Sequence, residues 1–148
     1  MTVRSVSRQN LPMGLGVRII QIGMLVSVAL YAVVGESLHL GTKPIPSNTL
    51  FHALSLISIT LVGATMVVRR TLIVPSEAAL RQRPDDPAAL ARWRTAYIFL
   101  YALCEVLGLF GIVLRLTGFT FANVWGFYLG GFLLLLLNSP RQPSAELR

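Results

Sequence analysis

Few side chains in this 148-residue sequence can do chemistry, and two groups stand out by position. Glu105 lies inside the apolar run 96–114, eleven residues after Arg94. On a helix rising 1.5 Å per residue that is about 16 Å, the depth of a bilayer's midplane. An ionisable group there costs about 2.5–3.5 kcal/mol on insertion scales, so its presence calls for a reason. One reason is reversible protonation or cation binding; the other is a protonated carboxyl that hydrogen-bonds two helices together. Tyr101, one helical turn earlier on the same face, can donate to it. Ser55, Ser58, Thr60 and Tyr128 are further polar candidates on other apolar runs, and no basic residue lies at matching depth. The ion- or proton-binding candidate is therefore Glu105 with Tyr101.

The second group is Glu36, His39 and His52. Glu36-Ser37-Leu38-His39 is an E-x-x-H, which places both side chains on one helix face, and His52 opens the next apolar run. Carboxylate and imidazole suit zinc or iron. The three side chains are the candidate metal set, and His39 with His52 the candidate haem pair. The alternative is that they are interfacial polar residues ending two helices in water. No other cofactor is expected. The sequence shows no nucleophile–base pairing and no phosphate-cradling glycine loop, and its lone Cys104 excludes a disulfide framework or a multi-cysteine metal site. Cys104 reads as a small packing residue. No catalytic residues are assigned, and a non-enzymatic role is expected.

These groups must be positioned by membrane helices. Apolar residues make up 54% of the chain and charged residues 13%, with mean hydropathy +0.67. Soluble domains average about 45–50% and 25%, so a soluble enzyme and a disordered chain are both excluded. Four windows are long enough to cross about 30 Å of hydrocarbon: 19–38, 50–68, 96–114 and 119–137. The expected fold is an all-α, four-transmembrane-helix bundle forming one membrane domain over 1–148. Its first window exceeds the apolar length of a cleaved signal peptide and lacks an A-x-A site.

Charge orients the spans. Arg4, Arg8 and Arg18 precede the first window, six arginines lie in the loop 69–95, and Arg141 and Arg148 follow the last window. Only Lys43 and Arg115 fall on the other side. The positive-inside rule then puts both termini and the loop in the cytoplasm. The net charge of +7 is thus a topology signal, and nucleic acid is not an expected partner. Twelve arginines against one lysine are compatible with a GC-rich bacterial source, hence a cytoplasmic (inner) membrane.

Within the loop, Pro75 is expected to stop the second helix and Ser76-Glu77 to start a short interfacial turn. Asp86-Pro87 reads as an N-cap with proline at the first helical position, and Trp93 as an aromatic-belt residue. The loop has a second reading, a docking surface for a partner or anionic headgroups. The short turn 116–118 makes the last two helices antiparallel neighbours. Gly126 and Gly130 form a G-x-x-x-G, with Gly131 beside it, that can meet Gly108 and Gly111 of the third helix or drive self-association.

The run Arg94–Gly111, RTAYIFLYALCEVLGLFG, resembles the carboxylate-bearing helix of the proteolipid c subunit of rotary ATP synthases. Arg81-Gln82-Arg83-Pro84 is similar to that family's cytoplasmic Arg-Gln-Pro loop, with one arginine inserted. The resemblance covers about 30 residues and implies that Glu105 carries the proton or sodium ion. The residues themselves favour a small inner-membrane protein acting as an accessory or structural subunit. Its expected partners are the bilayer and other membrane subunits or further copies of itself. The alternatives are an ion-coupled subunit using Glu105 and a metal or haem protein using Glu36, His39 and His52.

Overall fold

A computed structural model describes residues 15–39 and 46–140, and within them the chain is helical with no strand. The terminal arginines Arg4, Arg8, Arg141 and Arg148, the segment 40–45 with Lys43 and Pro44, and the side chain of His39 lie outside the described residues. Helix α1 spans Leu15–His39, so Arg18 stands on the helix rather than before it. Helix α2 spans Asn48–Val68, and the Ser47 hydroxyl accepts the amide of Leu50 at its start.

Pro75 does not end this rod. A π-helical turn, Arg69–Ile73, continues α2 directly into α3, Val74–Gln82. Proline lacks an N–H and its ring clashes with the carbonyl four residues earlier. The Val74 amide reaches back five residues to the Arg69 carbonyl, and this wider turn accommodates Pro75 within the rod. The non-helical connection consequently shrinks to 83–86. Helix α4, Pro87–Leu116, then begins where Asp86 caps it, accepting the amides of Ala88 and Ala89 at 2.9 and 3.3 Å.

Helix α4 ends in a tight turn at Gly118, whose φ of 101° is open to glycine at little cost. Helix α5 follows at Phe121–Leu137. Three rods are long and apolar enough to cross a membrane: 15–38, 48–82 and 87–116. The fourth expected span is the shorter α5, at 17 residues, because the turn takes Phe119 and Thr120.

Helix α4 is the hub, packing against α1, α2, α3 and α5, while α1 and α2 do not pack on each other among the described residues. Register follows from the contacts. Gly108 meets Val28 and Tyr31, and Arg115 meets Gly35 and Glu36, so α1 and α4 run parallel. Gly131 meets Cys104 and Tyr128 meets Gly111, so α5 runs antiparallel to both. Leu100, Tyr101, Cys104 and Leu135 are fully buried in the main core with Val28. A second cluster gathers Leu114, Phe119, Val124 and Tyr128 at the far end, where Phe51 of α2 touches Phe119 and Phe127.

The closest backbone approach is not made by the G-x-x-x-G pair. A Cβ on Gly131 would lie 2.9 Å from the Cys104 carbonyl oxygen, and one on Gly111 would strike the Tyr128 ring at 2.7 Å. Gly130 has only Leu107 near it, and Gly126 faces open space. Outside this packing the helices present Ile19, Val33, Leu56, Ile59, Val67 and Leu137, among others, as exposed apolar side chains. A helix surface that is apolar outward suits hydrocarbon rather than water.

Candidate functional site

The parallel pairing of α1 and α4 creates a seam carrying two carboxylates. Near the middle of α4, Tyr31 Oη donates to Glu105 Oε1 at 2.7 Å. Gly108, one turn along α4, permits this contact, since its missing Cβ would crowd Val28 and Tyr31 at 3.2 and 3.3 Å. Glu105 is half-buried, and its helical neighbours Ala102 and Leu109 are exposed, so the carboxyl sits at the outward edge of the seam. Among the described residues Tyr31 is its hydrogen-bond partner.

The expected donors lie elsewhere. Tyr101 is fully buried and donates to the Asn138 carbonyl at 3.2 Å, because α5 packs on that side of α4. Ser58 and Thr60 turn back to Leu54 and Leu56 carbonyls of their own helix. Tyr128 of α5 lays its ring on Gly111 and turns its hydroxyl towards Gly35 and Arg115. Tyr31 carried no sequence signal beyond being a tyrosine; its partner became visible only once α1 and α4 were known to run parallel.

Ten residues further along α4, about 15 Å, the seam carries its second carboxylate. Arg115 Nε donates to Glu36 Oε1 at 3.0 Å and Nη2 to Oε2 at 2.7 Å, a bidentate fork. Its Nη1 donates to the Phe119 carbonyl at 2.8 Å, tying the turn after α4 to the pair. The arginine side chain is 8% exposed and the glutamate 47%, so one partner is buried and the other faces out. Gly35 makes room here as Gly108 does below: a Cβ on it would meet Tyr128 Oη at 3.0 Å and Arg115 Cγ at 3.3 Å. Tyr128 Oη itself is buried without a hydrogen-bond partner among the described residues.

Of the candidate metal set, the side chains of Glu36 and His52 are described. Both Glu36 oxygens accept from Arg115, a partner outside the expected set. His52 stands exposed at the start of α2 against the edge of Phe51, and the His39 side chain lies outside the described residues. Among the described residues no group of three or more His, Cys, Asp or Glu is arranged to hold a metal. The sequence counts Arg115 only as one of two basic residues on the side opposite the rest; in the fold it makes three hydrogen bonds, two to Glu36 and one to the Phe119 carbonyl.

The opposite end carries a neutral polar cluster that sequence inspection missed. Gln21 Nε2 of α1 donates to the Leu135 carbonyl at 2.7 Å, and Ser139 reaches Gln21 Oε1 at 3.5 Å. Asn138 caps α5 by donating to the Leu134 carbonyl at 2.8 Å while its own carbonyl receives Tyr101. The Gln21 contact thereby answers one of the carbonyls that α5 leaves open at its end. On the α3–α4 side, Tyr97 donates to Glu77 at 2.9 Å beside the buried Trp93.

Comparison with protein-family models, with curated proteins and with solved structures gives no match for this chain.

Proposed function

We propose that the protein is a multi-pass protein of a bacterial-type cytoplasmic membrane, a four-span helical bundle that serves as a non-catalytic subunit of a membrane complex. The carrying observation is how its polar groups are used. Glu36, Arg115, Glu105, Tyr31, Gln21 and Tyr101 are engaged in contacts between helices or with the turn that follows them, while the outward faces are apolar. Such a division suits a rigid membrane element that positions something else. The arginine distribution supports cytoplasmic termini. α5 supports the fourth span, since its 17 mostly apolar, uncharged residues meet the lower end of the length a crossing needs.

The test is native purification from membranes in mild detergent. A stoichiometric membrane partner is the expected result. A homogeneous lone monomer with an activity of its own overturns the reading.

A second reading has its own observation. Glu105 lies at the outward edge of the seam beside exposed Ala102 and Leu109, and it is held by a neutral hydroxyl rather than by a cation. That arrangement supports a carboxyl that exchanges a proton or an ion with a neighbouring subunit. Dicyclohexylcarbodiimide is expected to label Glu105 and to lose its target in Glu105→Gln; absence of labelling in the native membrane sinks this reading.

A further inference from the structure

A half-open groove of about 980 Å³ runs between the π-turn with α3 on one side and the first half of α4 on the other. Its two ends differ in polarity. Towards the 83–86 connection it is bordered by Asp86 and Arg92; towards the apolar run it is bordered by Leu72 and Phe99, which are 47% and 52% exposed. Ala79, Ala88 and Ala91 along its walls leave the space unfilled. Pro75 belongs to the same wall, on the rod that the π-turn keeps continuous.

Depth and charge point to the occupant. The apolar run of α4 begins at Ala96, one turn below Arg92, so Arg92 and Thr95 stand where hydrocarbon gives way to headgroups. Arg92 forms no ion pair among the described residues. Of the carboxylates on this segment, Asp86 accepts the Ala88 and Ala89 amides and Glu77 accepts the Tyr97 hydroxyl, while Asp85 stands on the connection outside the groove lining. Arg69, Arg70, Arg81, Arg83 and Arg94 on the same segment add to a positive field. A free anion would make no use of the Leu72–Phe99 end, whereas an amphiphile uses both.

We infer that this groove binds one anionic phospholipid, with its phosphate at Arg92 and Thr95 and an acyl chain between Leu72 and Phe99. The inference rests on the membrane reading above but not on the subunit role. A bound lipid here would clamp α3 to α4 across a groove that alanines leave open.

Native mass spectrometry of the full chain in detergent, titrated with dioleoyl phosphatidylglycerol or dioleoyl phosphatidylcholine, tests it. Phosphatidylglycerol is expected to bind at about fivefold lower concentration, the effect of one arginine at an anionic headgroup. Arg92→Gln is expected to erase that preference, Ala91→Phe to weaken both lipids by filling the groove, and Arg81→Gln, outside the groove, to leave the preference intact. Equal binding of both lipids by the native chain overturns the inference. So does an equal loss in Arg81→Gln and Arg92→Gln, or displacement of the lipid by millimolar inorganic phosphate. Alkaline carbonate extraction separates the two levels. Protein released into the supernatant defeats the membrane reading, whereas protein kept in the pellet without a lipid preference defeats the groove alone.

Discussion

The two carboxylates of the α1–α4 seam each lie beside a glycine notch, Glu36 at Gly35 and Glu105 at Gly108, yet they are answered by opposite chemistry. Glu36 meets a guanidinium that spends three donors on it and on the Phe119 carbonyl. Glu105 meets one phenol. The difference follows depth. Near the helix ends a long arginine can be buried by its stem while its half-exposed partner keeps contact with water or headgroups. Halfway along α4 a neutral donor avoids burying a second charge in hydrocarbon. In the readings proposed above, the end site is a structural clasp and the middle site an adjustable one.

Arg115→Ala gives the largest expected effect, because it strands the Phe119 carbonyl and removes both guanidinium donors from Glu36. Loss of about 2–3 kcal/mol in denaturant unfolding in micelles is expected from the stranded carbonyl and the lost charge-assisted hydrogen bonds, and a change under 1 kcal/mol breaks the view of this end as a clasp. Glu36→Gln is the milder version, expected to cost about 1.5–2 kcal/mol by the loss of charge-assisted hydrogen bonds.

The glycine notches come next. Gly108→Ala must shift Val28 and Tyr31 by a few tenths of an ångström. It is expected to cost about 1 kcal/mol and to raise carbodiimide labelling of Glu105 as Tyr31 is displaced. Labelling that falls or stays constant argues against Tyr31 as the group that covers Glu105.

Tyr31→Phe removes one hydrogen bond at a lightly covered site, with an expected cost of about 0.6 kcal/mol. Smallest of all is Glu105→Gln, whose amide oxygen still accepts from Tyr31; its expected stability change is under about 0.5 kcal/mol. Set beside Glu36→Gln, this identical substitution sharpens the comparison most. Equal costs at the two positions would show that depth does not distinguish them.

Much of the scaffold was readable without coordinates. The first three apolar windows lie within the observed rods and the fourth loses only Phe119 and Thr120 to the turn, while the Asp86 cap and the Gly118 turn follow from local chemistry that two or three adjacent residues decide. Pro75 misled because local rules disfavour proline inside a helix, while a single π-turn removes the conflict. The glycines misled in the same manner. Spacing singled out Gly126 and Gly130, but a repeat of four says which residues share a face, not which face meets a neighbour, and Gly131 makes the tight contact.

The candidate site was half legible. Glu105 and Glu36 stand out because a carboxylate within or beside an apolar run is costly wherever it points. Their partners Tyr31 and Arg115 are 74 and 79 residues away and depend on α1 lying parallel to α4 at one rotation and one register. Composition, periodicity and charge placement act along the chain, so the sequence by itself determined that apolar helices form, where they start and which carboxylates are expensive. Which helix becomes the hub, that Arg115 turns inward and that Tyr31 rather than Tyr101 meets Glu105 are decided by packing between distant segments. Those choices belong to the tertiary structure, because a helix surface offers several faces of similar apolarity and only the fit of its neighbours selects one.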